Sequence, residues 1–250
     1  MNNKILKKIL GLFGYKAIQK ELIKKNRLLS EKSFLTTDRL LKNLFNKKII
    51  NTLIQIGAND GQRFDTINYY IKKYKTQSLL VEPIKENYEK LKKNYKNYNN
   101  VKFDNSAISV NNEISYLYKV NPNKIINYGN HIPGITSFDK NHLIKHGVKK
   151  THIVKELVNS ISIKNLITKH KLNILDLLLV DAEGYDGDIV IDFFKNVSFR
   201  PIIILEYIHI NSEKFKTLID QLEKQEYFFF SINENMFCFP KEDEAFIKIN

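Results

Sequence analysis

Cysteine occurs once in the 250 residues, at Cys238, and tryptophan is absent. Arginine appears only as Arg27, Arg39, Arg63 and Arg200. A lone cysteine excludes an internal disulfide and a cysteine-rich zinc site, and it points to a reducing, cytoplasmic setting. No run of eighteen apolar residues exists, so no apolar helix of membrane-spanning length is expected. The N-terminus shows no small-residue cleavage site behind a clean apolar core, which argues against a secretory signal. What remains, with 43% apolar residues, is an ordinary globular composition with enough chain for one sizeable α/β core.

The formal net charge is +13, and 36 of the 40 basic residues are lysine. Asparagine is also abundant, at 29 residues. Both are encoded by A/T-rich codons, so coding composition is a sufficient cause. Residues 1–50 hold thirteen basic and three acidic side chains, while the remaining 200 residues are nearly balanced. The basicity therefore belongs to the N-terminal segment, and nucleic acid is not the expected partner. An RNA grip through that segment is the competing reading, and steep salt dependence of RNA binding would mark it.

Residues 1–48 read as a basic helical extension. Ile5, Ile9, Leu12 and Phe13 fall at helical spacing among lysines, and Leu40, Leu41, Leu44 and Phe45 form the apolar face of a second stretch over 33–46. The first stretch is expected to pack on the main domain or stay solvated. The alternative is peripheral contact of residues 1–30 with an anionic inner membrane face. From Ile49 the pattern alternates. Strands are expected at 49–57, 78–82, 101–107, 175–181, 201–207, 227–232 and 236–240. Helices are expected at 64–74, 87–95, 163–170, 189–195 and 212–224. Residues 113–120 and 151–160 read as further strands, the first of them half-exposed. The fold class is α/β, a doubly wound sheet over 49–250 ending in an antiparallel pair. Residues 121–150, with a short helix near 140–146, are too long for a connector and read as a lid or substrate loop.

Chemistry-bearing residues gather at the predicted strand ends. Gln55-Ile56-Gly57-Ala58-Asn59-Asp60-Gly61 closes the first strand, and its glycines allow a sharp turn and close ligand approach. A dinucleotide Gly-x-Gly-x-x-Gly and a phosphate-binding Gly-Lys-Ser/Thr are both missing. Glu82, about twenty residues past the glycine turn, is placed to accept ribose hydroxyls. Asp104, Asn105 and Ala107 stand at the third tip, where a nucleoside base would lie. Asp181 and Glu183 end the fourth strand, where acids can orient a cation, take a proton or hold a divalent metal. His209, just past the fifth, can act as a general base.

The turn 55–61, the Val81-Glu82-Pro83 tip, the Asp181-Ala182-Glu183-Gly184 tip and the segment Gly134–Asp139 together resemble the FkbM-type family of S-adenosylmethionine-dependent methyltransferases, over roughly residues 49–240. The resemblance implies a class I, Rossmann-like methyltransferase fold and methyl transfer to a hydroxyl of a sugar, glycolipid or secondary metabolite. It implies that Gly57, Ala58, Asn59, Asp60 and Gly61 line the methionine end of the cofactor and that Glu82 holds the ribose. Asp104, Asn105 or Ala107 would border the adenine. Asp181 and Glu183 would face the methyl group and acceptor; from the residues themselves, His209 or Asp181 is expected to take the proton and Glu183 to orient the acceptor. Gln55 stands where many class I enzymes carry an acid, leaving Asp60 or Asp181 to compensate. The Asn/Asp-Pro-Pro-Tyr/Phe motif of amine methylation is absent. An RNA methyltransferase with the basic N-terminal segment as its grip, and a catalytically silent, membrane-associated module with the same fold, are the further readings.

Histidines 131, 142, 146 and 152 surround the long loop. His142 and His146 stand at i, i+4, a metal-ligand spacing on a helix. No glutamate adjoins the first and no third ligand lies in the same segment, so no metal site is expected. Because the packed or solvated helix is the expected state of the N-terminal stretch, chains with and without residues 1–30 should sediment alike with anionic liposomes.

Overall fold

A computed structural model describes residues 36–47, 49–63, 65–110, 114–129 and 132–242. The first expected basic helix and its membrane reading lie outside these residues, as does His131. The main compact unit begins at Asp38. Helix α1 (Thr37–Asn46) buries Leu40, Leu41, Leu44 and Phe45 at the i, i+3, i+4 spacing of one helix face. Phe45 stacks on Tyr70 with ring centroids 5.0 Å apart, and the Tyr70 hydroxyl donates to Asp38 Oδ1 at 2.6 Å. The sequence groups this helix with the 1–48 extension; Phe45 and Asp38 join it instead to Tyr70 and Tyr74 of the following helix, Asn68–Tyr74.

The chain then runs through β1 (Thr52–Ile56), α2 (Asn68–Tyr74), β2 (Gln77–Val81), α3 (Lys85–Asn94) and β3 (Val101–Asp104). Next come β4 (Ala107–Ile108), β5 (Ser115–Val120), β6 (Thr136–Ser137), α4 (Lys140–Lys145), β7 (Ile153–Val158), β8 (Ser160–Ile161) and α5 (Ile163–Lys169). It closes with β9 (Leu177–Val180), α6 (Asp186–Asn196), β10 (Ile202–Glu206), α7 (Ser212–Lys224), β11 (Tyr227–Ile232) and β12 (Asn235–Pro240).

Seven strands form the main sheet in the order β11-β12-β10-β9-β1-β2-β3. Pairing is parallel from β3 to β10, and β12 runs antiparallel between β10 and β11. Winding starts at β1, proceeds outward to β3, then restarts at β9. Right-handed crossovers therefore place α2 and α3 on one face and α6 and α7 on the other. Strands covered on both faces become near-continuous apolar runs such as Leu-Leu-Leu-Val in β9. Alternate residues Ile54, Ile56, Leu178, Val180, Ile203 and Leu205 meet Leu166, Ile189, Phe193, Leu218 and Leu222 in the largest core.

Register aligns the carboxyl ends. Ile56 lies beside Val81 and Val180, Val81 beside Asp104, and Val180 beside Leu205. The expected tips at 57, 82, 181 and 206 therefore share one rim. The predicted strand 101–107 breaks after Asp104, because Asn105 turns to donate its amide to the carbonyls of Glu82 at 2.8 Å and Pro83 at 3.0 Å. Helix α2 starts at Asn68, since Asp65 Oδ1 accepts from the Ile67 and Asn68 amides at 2.9 and 3.1 Å. The strands predicted over 113–120 and 151–160 leave the main sheet. As β5 and β7 they pair with each other, and with β6 form a separate three-stranded sheet. One-sided alternation suits that role, because only one face needs cover. No helix among the described residues is long and apolar enough to cross a membrane.

At the opposite rim Asp176 Oδ2 accepts from Asn51 N (2.8 Å), Thr52 N (2.9 Å) and Thr52 Oγ1 (3.0 Å), pinning the start of β1 to that of β9. Asp176→Ala should lower unfolding free energy in urea by ~1–3 kcal/mol, and Asp176→Asn, which keeps an acceptor oxygen, by less.

Candidate active site

A cavity of about 470 Å³ opens at the carboxyl rim across the β1/β9 switch point. Gly57 lies at its centre with φ +80°, and a β-carbon there would overlap the Asp181 carbonyl oxygen. The two tips touch backbone to backbone, which only glycine permits. Gly57, Ala58 and Asn59 line the cavity; Asp60 and Gly61 do not. Asp60 Oδ1 accepts from the Gln62 and Arg63 amides, and the residue borders a second cavity of about 450 Å³. Gly61 is glycine for packing: its β-carbon would stand 2.5 Å from Leu91 Cδ1 and 2.7 Å from a Tyr95 ring carbon.

Glu82 reaches the cavity from β2 while 4% exposed. Its Oε2 accepts from Asn59 N at 2.9 Å and its Oε1 from Ile84 N at 2.8 Å. Burial pushes its carboxyl up to about 7 against those bonds. The third tip corrects the sequence reading. Asp104 is buried under Lys169 Nζ (2.7 Å), His170 Nε2 (2.6 Å) and Ser106 Oγ (2.6 Å). Burial alone would raise it, but those partners hold it below the usual carboxylate range. Neither Asp104 nor Asn105 lines the cavity. Ala107 does, with Ser106 and Ile108 beside it.

The β9 tip is shaped by Asp186. This fully buried carboxylate accepts from the Ala182 and Gly184 amides at 3.1 Å each, and burial pushes it up to about 7. It holds Glu183 at φ +49°, a left-handed conformation costing a non-glycine residue on the order of 1–3 kcal/mol. Ser137 Oγ on β6 donates to the Glu183 carbonyl at 2.8 Å and ties the upper sheet to this tip. Asp181 reaches into the cavity. Burial, and the carboxylates of Glu183, Asp186, Glu206 and Asp65, push it well above the usual range. Glu206, at the end of β10, is pushed up to about 8 by burial and by Glu183, Asp186 and Glu234. His209 Nε2 stands 3.7 Å from Glu206 Oε1. Burial and the neighbouring His142 and His146 push this imidazole down, against Glu183 and Glu234.

The lid expected over 121–150 covers the rim and lines the cavity through Gly134, Ile135, Thr136, Phe138 and His146. Two features escaped sequence reasoning. Asp65, which lines the cavity, sets its buried carboxyl against the Gln55 side chain, whose hydrogen bond lowers it while burial raises it. A capping Asp at a helix start was the available signal. The second is a gathering of His142, His146, Glu183 and His209, whose ligand atoms all lie within 4.8 Å of one another. His152 stands apart, bonded through Nδ1 to the Tyr128 hydroxyl at 2.7 Å.

This strand order, with its reversed strand beside β10 and an acid-lined cavity across the switch point, defines a class I methyltransferase. The chain belongs to the FkbM methyltransferase domain family, whose model matches residues 55–229. That family is one of methyltransferase domains, and the cofactor it implies is S-adenosylmethionine. The fold is similar to that of a methyltransferase FkbM from Methylobacillus flagellatus (12% identity, TM-score 0.48, 76% of this chain and 44% of that one). It is also similar to an SAH-bound methyltransferase from Podospora anserina (10%, 0.45, 96% and 97%) and an O-methyltransferase from Bacillus cereus in complex with SAH (9%, 0.44, 95% and 97%). This chain thus spans less than half of the Methylobacillus protein. Its sequence matches none of the curated proteins. The residues present fit the cofactor: the carboxylates of Asp65, Glu82 and Asp181 suit its cationic groups, Gly57 admits close approach, and Arg63 is the single lysine or arginine among the described lining residues.

Gly57→Ala should cost more than the ~1–3 kcal/mol of a strained φ, because the overlap is with backbone, and should abolish cofactor binding. A carboxyl raised on folding binds more protons in the folded state between its unfolded and folded values. Glu82, Asp186 and Glu206 therefore favour folding below about pH 4–5, and this is lost as pH rises through about 7–8. The melting temperature of the protein without cofactor should fall between about pH 5 and about pH 8.

Proposed function

We propose that this chain is an O-methyltransferase acting on a hydroxyl of a sugar, glycolipid or secondary metabolite. The observation that carries the reading is the placement of Asp181. Its backbone touches Gly57 at the cofactor turn, and its side chain reaches into a cavity whose far side holds Glu183, His146 and His209. A hydroxyl is a poor nucleophile near neutrality and benefits from a positioned base. A carboxylate surrounded by other carboxylates has the raised proton affinity that such a base needs.

When bound, S-adenosylmethionine supplies a methyl group already activated on a sulfonium. Asp65 and Gln55 hold the ammonium end, in place of the first-motif acid that this chain lacks. Gly57, Ala58 and Asn59 would hold the methionine portion, and Glu82 would take the ribose hydroxyls. Ser106, Ala107 and Ile108 border the base. Asp181 accepts the proton that the acceptor hydroxyl releases, and Glu183 and His209 orient that acceptor. The carboxylates also favour a cationic ligand over its neutral product. The polar lid surfaces around Thr136 and His146 suit a hydroxylated small molecule or glycan.

The test is calorimetric titration of the purified protein with S-adenosylmethionine and S-adenosylhomocysteine, followed by an acceptor screen. Saturable one-to-one binding that Glu82→Ala and Asp65→Ala each weaken supports the cofactor assignments. No binding to folded protein overturns them. With an acceptor in hand, Asp181→Asn should lower kcat by ~10²–10⁴-fold while leaving cofactor affinity within a few-fold. Wild-type kcat/KM should rise with pH as Asp181 deprotonates in the free enzyme. Unchanged turnover in Asp181→Asn would reject Asp181 as the base.

A further inference from the structure

Three imidazoles in mutual contact beside a carboxylate are an unusual neighbourhood in a chain with six histidines. The rings of His142 and His146 lie 4.6 Å apart, those of His142 and His209 4.6 Å, and those of His146 and His209 4.9 Å. They come from distant places. His142 lies on α4 and His146 caps it, its amide donating to the His142 carbonyl at 3.2 Å, so both rings project from one side. His209 follows β10. Glu183, held at positive φ by the turn that Asp186 organises, places Oε2 2.9 Å from His142 Nε2. Gly184, at φ +96°, follows in the same turn and lies against the cluster: a β-carbon there would stand in ordinary contact, 3.5 Å from His142 Nδ1 and 3.8 Å from His209 Cβ.

We propose that His142, His146, Glu183 and His209 form a divalent transition-metal site at the acceptor end of the cavity. Each residue offers one ligand atom, and all four atoms lie within 4.8 Å of one another. Three imidazoles with one carboxylate suit zinc and its first-row neighbours and do not suit magnesium or calcium, which take oxygen ligands. In a tetrahedral zinc site with bonds of ~2.0–2.1 Å the ligand atoms stand ~3.4 Å apart. Binding therefore draws the side chains inward by about 1 Å, a movement that small side-chain rotations supply. Glu206 adds a second carboxylate, 3.7 Å from His209 Nε2, and Asp181 lies in the same cavity. The local charge favours a cation within a protein of net charge +13.

The site is not sealed. His142 is 6% exposed and stands behind, while His146, Glu183 and His209 line the cavity, so a bound ion is reachable from the acceptor side. An ion there can take up an oxygen of the acceptor as a Lewis acid, lowering its pKa and fixing it near Asp181. This role, though not the site itself, rests on the O-methyltransferase reading. Glu183 and His209 then orient the acceptor through the ion.

The experiment is a titration of chelator-treated, full-length protein with Co²⁺, read by visible absorption, and with Zn²⁺, read by calorimetry, without cofactor or acceptor. One ion per chain is expected, with the intense visible bands of a four- or five-coordinate cobalt. His146→Ala should weaken binding by at least ~100-fold, since loss of a mere outer-shell partner costs ~10–100-fold. His152→Ala, outside the cluster, should leave it unchanged. His209→Gln gives a second reading should His146→Ala not fold, which circular dichroism reports. Folded wild type that binds no Co²⁺, or binding that survives both His146→Ala and His209→Gln, overturns the proposal. Metal binding together with failure of the S-adenosylmethionine titration would overturn the cofactor assignments alone.

Discussion

The backbone contact between Gly57 and Asp181 is the constraint on which the rest of the structure depends. Two parallel strands that belong to oppositely wound halves of the sheet end side by side, and a turn must leave one of them without colliding with the other. Glycine at positive φ is the local solution. Once that contact is made, the register carries Glu82 to one side of the switch point and Glu206 to the other. The cavity lies where the diverging turns leave space that no side chain fills. The small sheet of β5, β6 and β7 then covers that space, fastened at Ser137 to the Glu183 carbonyl.

The electrostatics of the rim run against those of the chain. A protein of net charge +13 gathers Asp65, Glu82, Asp181, Glu183 and Glu206 around one cavity. Buried carboxylates are unfavourable unless they are hydrogen-bonded, neutralised or met by a cation. Glu82 and Asp186 lean on backbone amides, and Asp104, outside the cavity, on Lys169 and His170. Glu206 has no such relief and its proton affinity rises accordingly, while Asp181 is open to the cavity and its affinity is raised with the neighbouring carboxylates Glu183, Asp186 and Glu206 around it. Stability given up at this rim is what would let it favour a cationic ligand, as the proposed function requires.

Much of the fold was legible in order. Helix α7 and strand β11 run over the expected spans, and β1, β2, β9 and β10 lie within one to three residues of theirs, because runs of isoleucine and leucine bounded by turn residues admit little else. The domain start was less legible: α1 shows a clear apolar stripe, but its partner Tyr70 is thirty-odd residues away. Strands β5 and β7 were visible as strands, yet nothing in them says which sheet they join. At the site, Gly57, Glu82, Asp181, Glu183 and His209 reach the rim as their positions at strand ends require. Asp104 and Asn105 stood at an equally good position and were drawn elsewhere by Lys169, His170 and the Glu82 and Pro83 carbonyls.

By itself the sequence determined the alternation of strands and helices, the turn chemistry and the family, all of which depend on residues near one another along the chain. Tertiary structure alone decided which acids face the cavity, that Gly61 serves packing rather than the ligand, and that His142 and His146 find Glu183 and His209. Those outcomes depend on pairs of residues from about twenty to more than sixty positions apart. A short window of sequence records a side chain's type and spacing, but its partner is set only when strand register and crossover handedness bring distant segments to the same rim.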